Sequence, residues 1–179
     1  MLQYAAPKGL KQWAEIYCLY QKAFPKSEKK PFFIILRKFR EEKTHLWRFT
    51  RNGSFAGMVI TINGEQNILI DYLAVAENQR GTGIGSEILP LMQKHYAGKG
   101  VFLEIESVYE ECSNKAERLR RKHFYEKAGM QSMDVFVWLF GVKMELMSFG
   151  EKLTYEQYHA FYHDNYGQWA ENHIQKAEK

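Results

Sequence analysis

The sequence predicts a mixed α/β fold in which an antiparallel meander leads into one parallel β-α-β crossover. Asn52-Gly53 and Asn63-Gly64 separate three strand-like runs, and Asn-Gly between such runs is a strong hairpin signal. A glycine-rich turn over 81–86 joins the third run to a helix-like run, and a short apolar run follows at 101–106. This order favours a mixed sheet over a doubly wound one.

Periodicity predicts the elements of the first half of the chain. Apolar residues at helical spacing give a helix over 10–24, which Pro25 ends, and a second helix over 31–43. Runs rich in apolar and aromatic residues then give strands over 45–53, 54–64 and 67–76.

The second half begins with a helix over 83–97. Pro90 inside it predicts a kink or a frayed turn, since an interior proline costs about 3 kcal/mol. A short buried strand follows at 101–106. Ser113 is placed to cap a helix over 113–128, and Gly129 stands where a C-terminal glycine belongs. The last predicted elements are a strand pair over 133–149 and a helix over 154–176.

Composition sets the class of protein. With 179 residues, 45% of them hydrophobic, the chain has one domain's length and can bury a core. We predict one domain over 1–150 and a C-terminal helical extension over 151–179 packed on it. The net charge of +4 suits an anionic ligand as well as nucleic acid, and decides little. Two distant cysteines, no signal-peptide pattern and no long apolar run predict a cytoplasmic protein with no membrane partner.

The glycine turn points to a phosphate site. Gly81, Gly83 and Gly85 leave the backbone bare just before a helix, where N–H groups and the helix dipole favour an anion. Arg80 adds a cation beside them. The alternative is a tight strand-to-helix turn that holds no ligand.

Two familiar phosphate motifs fit the turn poorly. A P-loop would continue with Gly-Lys-Ser/Thr, which is missing. Gly81, Gly83 and Ser86 mimic a dinucleotide fingerprint, and Glu104 lies near the distance of its ribose-binding acid. However, five residues separate the strand from the first glycine, and only one crossover unit is predicted.

A third motif fits better. Arg80-x-x-Gly83-x-Gly85, preceded by "YLAV", resembles the pyrophosphate-binding motif of the GNAT acyltransferase superfamily, whose members bind acetyl-CoA. "RRKHFYEKAGM", residues 120–130, resembles the family's segment on the following helix, with Met130 where phenylalanine is usual. The predicted element order is similar to the family's over roughly residues 8–148.

The resemblance implies how acetyl-CoA would bind. In the family the strand before the turn splays from the next parallel strand, and the pantetheine arm lies along it. The strand backbone would bond the arm's amides and polarise the thioester, while the turn would hold the pyrophosphate. The implied binding residues are Leu73, Ala74, Val75, Arg80, Gly81, Thr82, Gly83, Ile84, Gly85 and Ser86. No metal is implied.

The resemblance also implies catalytic residues. Tyr125 matches the family's tyrosine acid, since a phenol with a pKa of ~10 stays protonated. Glu104 matches the glutamate base of some members, and Asp71 and Glu106 compete for that role. Strand alternation puts Glu104 and Glu106 on one face, where the pair could share a proton or a substrate cation. The alternatives are aromatic packing for Tyr125 and a solvated or arginine-paired carboxylate for Glu104.

The leading hypothesis is an N-acetyltransferase in which a primary amine attacks acetyl-CoA directly in a ternary complex. The acceptor would be a small-molecule amine or a protein N-terminus or lysine, with no nucleic acid partner and with a homodimer left open. The alternative is a CoA-binding sensor of the same fold without turnover.

The last predicted helix carries histidines and aromatics. His159 and His163 have metal-ligand spacing, but no third ligand joins them in a known motif. We therefore predict surface or packing histidines. The aromatics at helical intervals predict docking onto the core or a second subunit.

Overall fold

The computed structural model describes residues 1–26, 28–150 and 152–179. Within them no helix is both long and apolar enough to cross a membrane. A short 3-10 helix, Glu77–Gln79, follows the fourth strand. The other elements, in chain order, are β1 (Leu2–Ala5), α1 (Gly9–Ala23), α2 (Phe32–Arg40), β2 (Thr44–Arg51), β3 (Ser54–Asn63), β4 (Asn67–Val75), α3 (Ile84–His95), β5 (Gly100–Glu106), α4 (Lys115–Lys127), β6 (Gln131–Leu139), β7 (Val142–Ser148), α5 (Tyr155–Tyr166), α6 (Gln168–Glu171) and β8 (Ile174–Ala177).

Hydrogen bonding orders the strands as β1-β2-β3-β4-β5-β7-β6-β8. The predicted mixed sheet is confirmed, because the sheet is mostly antiparallel and β4 and β5 form its parallel pair. The parallel ladder joins Asn67–Leu69 to Gly100–Phe102, and β4 then continues to Val75. The α3 crossover connects the two strands, as the sequence predicts.

The first of two compact units comprises Met1–Asn63 and Ile70–Ile88. Asn52, with φ 51, and Gly53, with φ 77, form the predicted turn between β2 and β3. The helices α1 and α2 bury their apolar stripes on the strands, and the buried cluster contains Ile16, Leu19, Tyr20, Ile35, Leu46, Met58, Ile60, Tyr72 and Ala74.

The second unit comprises Gly64–Leu69 and Leu89–Lys179. Here β5 pairs with β7, β7 with β6, and β6 with β8, all antiparallel. The helix α5 packs on β5, with 5.2 Å between the ring centroids of Phe102 and Phe161. A Cβ at Gly64 would lie 2.7 Å from the Phe161 ring, so only glycine lets α5 approach this closely.

Two helix details differ from the predictions. The helix α3 continues through Pro90 to His95, so the frayed turn predicted there is wrong, while the alternative of a kink stays a prediction. The helix α4 has Asn114 rather than Ser113 as its N-cap. The Asn114 side chain makes no capping bond there because it contacts Glu106 and Arg118 instead.

The single helix predicted over 154–176 is wrong beyond residue 166. Gly167, with φ 79, ends α5, and after α6 the chain forms β8, which pairs with β6. Aromatic periodicity continues past Gly167, but strand pairing overrides it. β1 escaped prediction because four residues carry too little pattern. The predicted boundary at residue 151 lies outside the described residues, and the division into 1–150 and 151–179 stays a prediction.

Candidate active site

The glycine turn needs glycine for its backbone conformation. Gly81 has φ +74 and Gly83 has φ +82, a region that residues with a Cβ enter only at a cost. Crowding is not the reason, since a Cβ at either position would meet nothing within 4 Å. The helix α3 begins directly after them, and the Glu87 N–H donates to the Gly83 carbonyl at 3.2 Å.

Among the described residues, the N–H groups of the turn are not seen bonded to backbone carbonyls. In the described part of the chain, no backbone carbonyl accepts a hydrogen bond of good geometry from residues 81–86. Gly81, Thr82 and Gly83 are exposed. Arg80 lies beside them and donates from Nε to the Val75 carbonyl at 3.4 Å. Such N–H groups at a helix N-terminus favour an anionic ligand.

Arg51 supports the turn and escaped prediction. Its Nη1 donates to the Thr82 carbonyl at 3.4 Å, and its Nη2 forms an ion pair with Glu87 in the first turn of α3. A second cation therefore lies next to the turn. Its only sequence signal is its position before the Asn52-Gly53 hairpin, which says nothing about a contact 31 residues away.

The strand β4 presents the predicted pantetheine-binding residues. Ala74 is buried, whereas Leu73 and Val75 on the other face are half-buried. Gly57 of β3 lies against this segment, and a Cβ there would be 2.6 Å from the Ala74 carbonyl oxygen. The backbone of β4 is thus fixed by a close strand approach that only glycine permits.

Asp71, the first candidate base, is engaged by a cation. Lys30 Nζ lies 2.7 and 2.8 Å from its two carboxylate oxygens, and the Asp71 side chain is 8% exposed. The neighbouring Tyr72 hydroxyl accepts from the Lys30 N–H and donates to the Glu28 carbonyl. Burial, with the nearby Asp71 charge, raises the pKa of Tyr72 well above its usual range. Asp71 therefore anchors the segment between α1 and α2.

Glu104, the second candidate, lies on β5 and faces α5. Tyr158 and Tyr162 both donate from their hydroxyls to Glu104 Oε1, each at 2.8 Å. Both tyrosines are buried, at 0% and 2% exposure. The aromatic residues of α5 thus pack against β5, and the hydroxyls of two of them bond a candidate base.

Glu106, the third candidate, docks the helix α4. Arg118 Nη2 donates to its carboxylate at 2.8 Å, and Asn114 does so at 3.5 Å. Arg118 also donates to the Ser107 carbonyl at 3.0 Å. Glu104 and Glu106 thus have different partners on different helices, and the structure does not show them sharing one.

Tyr125, the candidate acid, lies on α4 and is half-buried. Burial raises the pKa of its phenol, and the Arg121 guanidinium offsets part of that rise. Its ring meets the Phe124 ring edge-on at 5.1 Å. The phenol therefore stays protonated across the physiological range.

The predicted residues divide between the two units. Asp71, Leu73 to Val75 and Arg80 to Ser86 belong to the first unit, and Glu104 and Tyr125 to the second. Each set is ordered by contacts within its own unit. Sequence reasoning missed the partners Lys30, Arg51, Tyr158 and Tyr162.

The two histidines of α5 converge on one carboxylate. Glu171 of α6 lies 3.0 Å from His159 Nδ1 and 2.7 Å from His163 Nδ1, and these residues line a cavity of about 420 Å³. Gln168 also donates to Glu171. The contacts tie α6 to α5. Among the described residues no group of three or more His, Cys, Asp or Glu could hold a metal ion.

Comparison with families and relatives places the chain among acetyltransferases. The model of the acetyltransferase (GNAT) family matches residues 13–130. A proposed acetyltransferase of Bacillus subtilis (strain 168), YjbC, is 32% identical over 87 residues, which cover 47% of this chain and 38% of that protein. This chain therefore matches well under half the length of that relative.

Solved structures share the fold at low sequence identity. A proposed GNAT-family acetyltransferase from Bacteroides thetaiotaomicron is 18% identical with a TM-score of 0.74, covering 93% of this chain and 98% of that one. The ribosomal-protein-S18-alanine N-acetyltransferase of Escherichia coli is also 18% identical, with a TM-score of 0.59 and coverages of 87% and 97%. A Bacillus subtilis acetyltransferase in complex with CoA is 14% identical, with a TM-score of 0.58 and coverages of 86% and 98%.

Proposed function

The chain belongs to the GNAT acetyltransferase family, and on that premise we propose that it transfers the acetyl group of acetyl-CoA to a primary amine. The observation that carries the proposal is the row of N–H groups over 81–86, which have no well-formed carbonyl partners among the described residues. A solved structure of the same fold is a complex with CoA, which supports the choice of ligand.

Acetyl-CoA would bind along β4 and its following turn. The N–H groups of Gly81 to Ser86 would hold the pyrophosphate, with Arg80 as a nearby cation. The backbone of Leu73 and Val75, on either side of Ala74, would bond the amides of the pantetheine arm. The backbone near Val75 would polarise the thioester carbonyl, because a fixed donor stabilises charge that develops on oxygen.

Glu104 is the base we favour. Asp71 and Glu106 each form an ion pair that joins separate elements, with Lys30 and with Arg118, whereas Glu104 matches the glutamate base of some family members. Glu104 is held by the hydroxyls of Tyr158 and Tyr162. An amine acceptor is mostly ammonium at neutral pH, so a base has to remove one proton before attack.

The transfer step balances with one base and one acid. Glu104 takes a proton from the ammonium, and the amine nitrogen forms a bond to the acetyl carbonyl carbon. The carbon–sulfur bond breaks, and the sulfur receives the proton of the Tyr125 hydroxyl. As the carbon–sulfur bond breaks, the nitrogen releases its second proton to solvent. Solvent also takes the proton from Glu104 and returns one to Tyr125, and the products are the acetylated amine and CoA.

The proposed chemistry requires an acceptor with a primary amine. A structural neighbour is named as acting on the alanine of ribosomal protein S18, which makes a protein N-terminus one acceptor to test beside small amines. We include polyamines and amino acids in the same screen.

Two measurements test the proposal. Calorimetry with CoA should show one-site binding to the chain, and thiol release from acetyl-CoA should rise when an amine acceptor is added. A chain that binds no CoA contradicts the proposal at its first step. Binding without thiol release across the amine panel would instead favour a CoA sensor.

A further inference from the structure

Two tyrosines on the buried face of α5 donate hydrogen bonds to the same carboxylate oxygen. The hydroxyls of Tyr158 and Tyr162, one helical turn apart, both donate to Glu104 Oε1 at 2.8 Å. Both rings are almost wholly removed from water. Phenylalanine would fill the same space without placing a hydroxyl in the interior, so packing alone does not account for two tyrosines.

The position of α5 is set independently of these hydroxyls. Thr154 and Gln157 form a capping box at its N-terminus. Phe161 packs on Phe102 and on the bare backbone of Gly64. Apolar contacts thus hold the helix on β5, and they fix the positions of the two hydroxyls relative to Glu104.

Two hydrogen-bond donors to one oxygen fix both the position and the orientation of the Glu104 carboxylate. Glu104 is half-buried on a central strand, and the residue opposite it on β7 is Leu146, which has no charge. The titratable groups shown bonding to it are the tyrosines of α5, while Glu106 two residues away is paired with Arg118.

We infer that Tyr158 and Tyr162 are positioning residues that hold the Glu104 carboxylate in the orientation it needs as the base of acetyl transfer. The inference rests on the proposed function and gives the tyrosine-rich C-terminal helix a role in it. Neither tyrosine is expected to touch acetyl-CoA or the amine. Their effect is on the rate of the chemical step and leaves CoA binding unchanged.

The test compares Tyr158→Phe and Tyr162→Phe with Tyr155→Phe on the same helix. Tyr155 is a matched control because its hydroxyl bonds the Ile174 carbonyl at 3.4 Å rather than a carboxylate. Three quantities are measured in each chain: kcat with the best amine of the screen, the Kd of CoA, and the pH titration of Glu104. The titration follows the ¹³C signal of the side-chain carboxyl carbon, assigned with Glu104→Gln.

Each of the two test variants should lower kcat about tenfold, because the one remaining hydroxyl holds the carboxylate less firmly in its reacting orientation. The Kd of CoA should stay within about twofold, and the Glu104 titration should move to higher pH, since the charged form loses a donor. Tyr155→Phe should change none of the three. Testing Tyr158 and Tyr162 separately keeps the experiment informative if one variant fails to fold.

The contrary results separate the two claims. An active wild-type chain whose kcat or Glu104 titration is unchanged in both variants overturns the positioning role and leaves the acetyltransferase proposal standing. A wild-type chain that binds CoA yet acetylates no amine overturns both.

Discussion

The Lys30 ammonium spans both oxygens of the Asp71 carboxylate, at 2.7 and 2.8 Å. The two residues lie 41 positions apart, and the pair joins the segment after α1 to β4. Asp71 is the more buried partner, with 8% of its side chain exposed against 27% for Lys30. Because Asp71 is the more buried partner, replacing Lys30 and replacing Asp71 should have different effects on the free energy of unfolding. The same two substitutions test whether Asp71 is a structural or a catalytic carboxylate.

Lys30→Gln should destabilise the protein more than Asp71→Asn. Removing Lys30 leaves a buried carboxylate without its cation, at a cost of about 2 kcal/mol, whereas Lys30 can turn toward water when Asp71 is neutralised. Urea unfolding measures both costs. If Asp71 only anchors this segment, Asp71→Asn keeps kcat within severalfold of wild type. A collapse of kcat in Asp71→Asn but not in Lys30→Gln would make Asp71 the base and displace Glu104.

A second ion pair lies deeper. Lys122 Nζ of α4 is 2.7 Å from Glu145, whose side chain on β7 is 0% exposed. Lys122→Met should lower the free energy of unfolding by about 3–5 kcal/mol, because the buried carboxylate loses its partner. Lys152→Met removes an exposed pair to Asp134 and should cost under about 1 kcal/mol. The double variant Lys122→Met/Glu145→Leu should recover most of the loss, and equal costs for the two lysine variants would contradict the burial argument.

The same pair predicts a pH dependence. Burial alone would lower the pKa of Lys122, but the hydrogen bond and charge of Glu145 outweigh it and raise the pKa above its ordinary value of 10.5. The stabilisation is therefore complete at neutral pH and is lost as the pH rises through the folded-state pKa. The difference in unfolding free energy between wild type and Lys122→Met should be constant from pH 7 to 10 and shrink above 10.5. A difference that shrinks below pH 9 would argue against the raised pKa.

Sequence reasoning recovered the features that local chemistry specifies. The Asn52-Gly53 turn needs two successive positive φ values, which those two residues tolerate, so this pair is enough to predict the hairpin. The glycine turn likewise specifies its own conformation at Gly81 and Gly83. The strand–turn–helix order around it follows from periodicity, and with it the mixed sheet.

The features that the sequence did not predict depend on contacts between residues that are far apart in the chain. Tyr158 and Glu104 are 54 positions apart, and no pattern in either segment points to the other. The periodicity of α5 predicted a buried face, since Tyr158, Phe161 and Tyr162 recur at helical spacing, but it could not identify what that face covers. β8 was missed for the same reason, because the strand it pairs with among the described residues is β6, which is far from it in sequence.

The proposed pyrophosphate site can be tested by comparing two glycines that have similar backbone conformation and surroundings. Gly83 has φ +82 and Gly98 has φ +89, and a Cβ at either meets nothing within 4 Å. Asp at either position should therefore cost a similar ~1–2 kcal/mol of backbone strain. Only Gly83→Asp places a negative charge beside the N–H groups of the turn, so only it should abolish CoA binding in calorimetry. Loss of binding in both variants would point to a general defect, and retention in Gly83→Asp would exclude the turn as the pyrophosphate site.

Tyr125→Phe tests the acid. The variant keeps the ring and its contact with Phe124 but removes the proton that would pass to the leaving sulfur. We expect kcat to fall by about 10²-fold or more while the Kd of CoA changes less than about twofold. Tyr109→Phe, on an exposed tyrosine that follows β5, serves as the control.

The pH profile strengthens the Tyr125 test. Burial raises the pKa of the Tyr125 phenol above its ordinary 10.0, so the protonated, active form persists to higher pH than a solvated tyrosine would allow. The alkaline limb of kcat in the wild type should therefore lie above pH 10.0, and it should be missing from the residual activity of Tyr125→Phe. A variant that retains both the wild-type kcat and the alkaline limb would show that Tyr125 only packs against its neighbours, and that the sulfur receives its proton from water.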